Sequence, residues 1–135
     1  MTSPDNVPLI IPISLGFVNA YIVKQDGIIL IDTGIPGSEQ KILDTLRDHG
    51  CKPRDISLII ITHGHQDHAG SAAALHELSG APVACHADDA GFLEKGKQNT
   101  LKPCSITGYF LQFIFNRKKL SEYPSVHPDI LIDAP

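Results

Sequence analysis

A chain of 135 residues, 42% apolar and 19% charged, is long enough for one globular domain or part of one and too apolar to be disordered. Its 11 Lys and Arg against 15 Asp and Glu leave a net charge of −4, which argues against coating nucleic acid or an anionic membrane by bulk charge. No apolar run approaches the ~20 residues of a membrane span, and Cys51, Cys85 and Cys104 are too scattered for a disulfide framework or a Cys-x-x-Cys zinc knuckle.

The polar start, Met1–Asn6, lacks the basic stretch of a secretory leader, so a cytoplasmic protein with reduced thiols is expected. Leu9–Ile13 is apolar and interrupted by Pro8 and Pro12, which predicts an edge strand. A second strand is expected within Phe17–Val23, and Asp26-Gly27 signals a hairpin turn. Ile28–Ile31 is a continuous apolar run, which predicts a strand buried on both faces. Ser38 is placed to cap a helix whose inner face holds Ile42, Leu43 and Leu46, with Gly50 as its stop. Ser57–Ile61 is a second buried strand and runs straight into a histidine cluster. Ala72–Leu78 reads as a helix stopped at Gly80, and Pro82–Cys85 as a short strand. The alternation implies a layered α/β architecture with some parallel pairing.

Further along, Asp88–Lys102 shows no strong pattern. Ile106–Phe115 holds Tyr109, Phe110, Phe113 and Phe115 and predicts a helix or strand packed on the core, or else an aromatic flap beside a pocket. Asn116-Arg117-Lys118-Lys119 reads as a solvated end, and Ile130–Ile132 as the start of another strand.

The chemistry lies in Thr62-His63-Gly64-His65-Gln66-Asp67-His68. In extended backbone, residues two apart point the same way, so His63 and His65 can offer two imidazoles to one ion. A turn then places Asp67 and His68 nearby. Zinc accepts imidazole nitrogen and carboxylate oxygen. Chance gives such a pattern in on the order of one random chain in a thousand. His86 and His127 are the further candidates for metal contact, while His49 suits a helix C-terminus and His76 a helix surface or boundary. Cys85 and Cys104 read as small packing residues.

The H-x-H-x-D-H pattern at the end of a buried strand resembles the signature of the metallo-β-lactamase fold hydrolases. Leu30-Ile31-Asp32-Thr33-Gly34 and Asn19-Ala20-Tyr21 are similar to further motifs of that family, and the general look is closest to its glyoxalase II-like and lactonase-like members. The resemblance, from about Pro8 to about Ile132, implies part of a four-layer αββα fold, a mixed sheet with flanking helices. It implies that His63 and His65 hold a first zinc and that Asp67 and His68 hold a second, with other divalent transition metals also possible. Asp67 would also orient a metal-bound hydroxide that attacks the substrate, and Asp32 would stand behind the ligands and orient them.

The family's third histidine, bridging aspartate and late histidine have no counterpart here. Residues 1–135 are therefore expected to be a single incomplete domain, the N-terminal half to two-thirds, with the C-terminal part absent and little activity by itself. The implied substrate is a small thioester, lactone or other ester, with no nucleic acid or membrane partner. The alternative is a non-catalytic half-domain that binds metal, pairs with a second copy, or pairs with a missing C-terminal segment.

Overall fold

The computed structural model describes residues 7–98, 104–115 and 121–133, so the polar start Met1–Asn6 and the basic run Asn116–Lys119 lie outside the described residues. A mixed sheet of six strands, in chain order, organises the molecule. The strands are β1 (Leu9–Ser14), β2 (Asn19–Lys24), β3 (Ile28–Ile31), β4 (Ile56–Ile61), β5 (Val83–His86) and β6 (Ile130–Ile132). β1, β2 and β3 pair antiparallel, with Gln25–Gly27 turning between the last two. β3 to β6 pair parallel. Parallel neighbours need long crossovers, and these carry the helices. α1 (Glu39–Asp48) joins β3 to β4, α2 (Gln66–Ala69) and α3 (Ala72–Ser79) join β4 to β5, and α4 (Ala90–Lys95) and α5 (Ile106–Phe115) lie between β5 and β6. No described helix is long and apolar enough to cross a membrane.

The core covers one face of the sheet. Alternate residues Ile11 and Ile13, Ala20 and Ile22, and Ile28 and Leu30 are buried with Ile42 and Leu46 of α1 and Leu75 of α3. The other face is only partly covered, which corrects the expectation for β3. Ile29 and Ile31 are half-buried, and their strand partners lead to Ile10 at 59% and Tyr21 at 37% exposure.

Three further expectations need correction. Ser38 sits at the start of α1 but its side chain caps nothing; instead its N–H donates to Ser71 Oγ (3.1 Å), tying α1 to α3. The weakly patterned stretch after Asp88 folds as a short 3-10 turn, Ala87–Asp89, followed by α4, whose end is marked by left-handed Gly96 at φ +62°. Ile106–Phe115 is a helix but does not pack on the core: Ile106, Tyr109, Phe110 and Phe113 are exposed and none of its described side chains joins the buried cluster.

Gly70 follows α2 where that helix passes the loop after β3. A Cβ there would fall on the Gln66 carbonyl oxygen and 2.5 Å from the Pro36 nitrogen, both backbone atoms that cannot swing aside. Gly70→Ala is therefore expected to destabilise the fold by about 1–3 kcal/mol, as overpacking does, read as a lower urea midpoint with unchanged slope.

Candidate metal centre

β3 and β4 are parallel neighbours, so their C-terminal ends lie side by side and deliver Asp32 and Thr62 to one place. The N–H of Asp32 donates to the Ile60 carbonyl (2.8 Å), and the residue then turns left-handed at φ +60°. Aspartate tolerates that conformation better than most residues. The turn aims a carboxylate that is only 5% exposed back at the loop. It accepts from the Thr62 N–H (2.8 Å) and the Thr62 hydroxyl (2.7 Å), and Oδ2 lies 2.9 Å from His68 Nδ1.

His68 is held at both ends. Its carbonyl accepts from the N–H and the hydroxyl of Thr33 (both 2.8 Å). Thr33 Oγ1 in turn accepts from the Ser71 N–H (3.2 Å), and the Ser71 hydroxyl faces the Ile35 carbonyl (2.7 Å) and Glu39 Oε2 (2.8 Å). With Nδ1–H donated to Asp32, Nε2 of His68 is left as the ligand atom. Thr62 gives its own proton to Asp32, so its oxygen can accept from His63 Nδ1 at 3.2 Å, which frees Nε2 of His63 in the same way.

Nitrogen of His63, oxygen of Asp67 and nitrogen of His68 all lie within 4.8 Å of one another, the group of this kind found among the described residues. His68 Nε2 is 3.6 Å from Asp67 Oδ2, and the His63 and His68 rings are 3.9 Å apart. Two imidazoles and a carboxylate form a borderline-soft donor set that suits a zinc-like divalent ion. His65 stands outside this group of three, with its ring 4.7 Å from that of His63 and nearly edge-on. The expected extended backbone is not what brings the rings together: residues 62–65 form a run of bends, and the carbonyl of His65 starts α2 by accepting the Ala69 N–H.

Burial, and then the neighbouring His68 and His65 rings, hold the His63 imidazolium below the ordinary histidine range. A neutral ring is the form that binds a metal. Because the folded pKa lies below the unfolded one, His63 favours folding above about pH 6.5, and this contribution is lost as the pH falls through the folded pKa. In a proton NMR titration of the metal-free protein, the His63 ring is expected to protonate at a lower pH than a free histidine.

A second layer of contacts comes from residues that sequence reasoning passed over. Gly64 donates to Asp89 Oδ1 (3.1 Å) and accepts from the Tyr123 hydroxyl (2.8 Å), while a Cβ at Gly64 would meet that of Phe92 at 2.9 Å. The Gln66 N–H donates to Gln98 Oε1 (3.0 Å), and its side-chain amide donates to the Glu122 carbonyl (2.8 Å). Burial, reinforced by Asp89, pushes the Tyr123 phenol far above its usual range, so it remains a donor. The cue in the sequence was a helix signature around α4, Asp89 before Ala90 and Gly96 after Lys95. Nothing local points to Tyr123, which lies 59 residues from Gly64.

The remaining candidates have other employment. His86 Nδ1 accepts from the Asp88 N–H (3.2 Å), and His127 pairs with Glu94 (3.1 Å) at the surface. The rings of His49 and His76 bond the Thr45 and Ala81 carbonyls. Cys85 is fully buried, and burial raises its thiol above the ordinary value, so it stays protonated as a packing residue. Cys104 is exposed.

The sequence model of the Metallo-beta-lactamase superfamily matches residues 13–133. A protein of Listeria monocytogenes serotype 4a, named UPF0173 metal-dependent hydrolase, is 36% identical over 103 residues, covering 75% of this chain and 42% of its own length. The mouse metallo-beta-lactamase domain-containing protein 1 is 41% identical over 53 residues, 39% of this chain and 20% of its own. Among solved structures, a subclass B3 metallo-beta-lactamase of Bradyrhizobium japonicum superposes with a TM-score of 0.76 at 26% identity, over 94% of this chain and 43% of that one. The lactamase MIM-1 of Novosphingobium pentaromativorans gives 0.69 at 30% identity, over 86% and 38%. The chain thus spans about 42% of the length of the Listeria relative and 20% of the mouse one.

Proposed function

The chain belongs to the metallo-beta-lactamase superfamily, and on that premise we propose that it is the metal-binding N-terminal portion of a zinc-dependent hydrolase of small thioesters, lactones or other esters. The observation that carries the proposal is the convergence of His63, Asp67 and His68 with Asp32 bonded behind His68. In this reading His63 and His65 belong to one zinc, and Asp67 and His68 to another. Bound there, zinc supplies an activated water near neutral pH and an electrophilic contact for the substrate oxygen.

The chain's own residues do the positioning. Asp32 sets the tautomer and angle of His68, and Thr33 and Ser71 stop the loop from sliding. Asp67, 46% exposed, would offer its carboxylate to the ion and accept a hydrogen bond from an O–H group beside it. Residues of the longer protein supply the remaining ligands and close the site, so the chain alone has weak or no activity. The expected setting is the cytoplasm.

The test is zinc per chain, by plasma mass spectrometry after dialysis, together with turnover of ester, thioester and lactone panels by the full-length protein. Retained zinc and hydrolysis that a chelator abolishes are expected. A full-length protein that holds no metal and cleaves none of these would overturn the reading. A second reading, a non-catalytic half-domain that pairs with another copy, is favoured by the partly bare sheet face at Ile10 and Tyr21 and by exposed β6.

A further inference from the structure

The metal loop is gripped in two places by two different parts of the chain. Residues after β3 hold its ends: Asp32 accepts from the Thr62 N–H (2.8 Å), and the Thr33 hydroxyl donates to the His68 carbonyl (2.8 Å). Residues after β5 hold its middle. Both polar groups of the Gly64 backbone bond side chains, the N–H giving to Asp89 Oδ1 (3.1 Å) and the carbonyl accepting from the Tyr123 hydroxyl (2.8 Å). The Gln66 N–H gives to Gln98 Oε1 (3.0 Å). Gly64 stands between His63 and His65, and Gln66 between His65 and Asp67. Each residue so held separates two donors, and because the peptide is planar, turning it would swing the side chains on both sides.

The groups that hold the middle are themselves anchored. The Tyr123 N–H donates to the Gly96 carbonyl (2.9 Å), the Gln98 N–H to the Ser121 carbonyl (3.1 Å) and the Val126 N–H to the Leu93 carbonyl (3.0 Å). Gly96 comes so close that a Cβ on it would fall on the Tyr123 carbonyl oxygen. The Tyr123 ring is buried in the core with Leu93 and Val126, which fixes where its hydroxyl can be. A phenylalanine ring would fill that space as well. The hydroxyl is what the Gly64 carbonyl uses, and a buried phenol needs such a partner.

We infer that Tyr123 is a positioning residue of the metal centre: with Asp89 it sets the Gly64 peptide, and through it the spacing of His63 and His65, before any ion arrives. The inference rests on the reading of this loop as a metal site. Its physical content is pre-organisation. A loop already in its bound shape gives up less conformational freedom on binding and so holds its ion more tightly.

The test has two readouts, and the first needs no metal. In the metal-free chain, the Gly64 and Gln66 amides should exchange slowly with deuterium. Tyr123→Phe should speed both at least ten-fold and leave the Leu75 amide, bonded to Ser71 at the start of α3, unchanged. Asp89→Ala, which releases the other side of the same peptide, should act in the same direction, while Asp89→Asn keeps an acceptor oxygen and should preserve slow exchange. In the full-length protein, Tyr123→Phe should weaken zinc binding about ten-fold or more. Val126→Ala loosens the same buried cluster without touching the loop, so it should lower the melting temperature and leave zinc affinity at the parent value. Fast exchange of both amides in the parent, exchange that Tyr123→Phe leaves unchanged, zinc affinity equal in Tyr123→Phe and parent, or an equal loss in Val126→Ala would each overturn the inference. A full-length parent that binds no zinc overturns the functional reading, and the positioning role falls with it whatever the amides do.

Discussion

His68→Ala is expected to cost the protein its tight metal binding. Four-ligand structural zinc sites are worth about 10–16 kcal/mol, so one donor among four accounts for roughly 3 kcal/mol, a loss of about 100-fold or more in affinity. The loss should be large here because His68 is the most firmly held of the ligands, fixed through Nδ1 by Asp32 and through its carbonyl by Thr33. Isothermal titration with zinc reads the affinity, and a thermal melt of the metal-free protein provides the control. The melt should move little, because Thr33 bonds the backbone of residue 68 and survives the substitution. In the full-length protein, hydrolysis should fall about 1,000-fold or more. Zinc binding equal to that of the parent would remove His68 from the site.

Asp32→Ala should damage both stability and metal affinity. The carboxylate is buried and receives the Thr62 amide, the Thr62 hydroxyl and the His68 ring. Each buried donor left without a partner costs about 1–3 kcal/mol, and alanine at φ +60° adds backbone strain, so a loss of about 3 kcal/mol or more is expected in urea unfolding. Zinc affinity should fall about 10–100-fold, the usual effect of removing a group that orients a ligand. Asp32→Asn separates the two effects. Asparagine tolerates the left-handed backbone, but it has one acceptor oxygen where three donors converge and an amide where an acceptor is needed. It should keep most of the stability and still lose metal affinity. If Asp32→Asn bound zinc as tightly as the parent, Asp32 would be a structural brace and nothing more.

The two variants probe different kinds of information. His63, His65, Asp67 and His68 are legible in the sequence because they fall within six residues, and the apolar run Ile56–Ile61 before them is unmistakable as a buried strand. Asp32 was legible by resemblance alone, since nothing in its surroundings says which residue, 36 positions on, it will meet. The contacts of Asp89, Gln98 and Tyr123 with the metal loop were not legible at all, because each pairs a side chain with a distant backbone group that carries no side-chain signature.

The sequence by itself determined the strands and the ends of α1 and α3 and offered a candidate donor set, because periodicity, glycine stops and metal chemistry are properties of neighbouring residues. The tertiary structure alone decided three things. It brought ligand atoms of His63, Asp67 and His68 within 4.8 Å of one another, with the His65 ring 4.7 Å from that of His63. It left one sheet face partly bare, because α1 and α3 pack on the other. It also kept α5 off the core, although the helix is largely apolar: Leu93, Tyr123 and Val126 are in the buried cluster, whereas Ile106, Tyr109, Phe110 and Phe113 are exposed. Apolar residues announce that they will be covered, but which surface covers them is settled by competition for space between segments far apart in the chain.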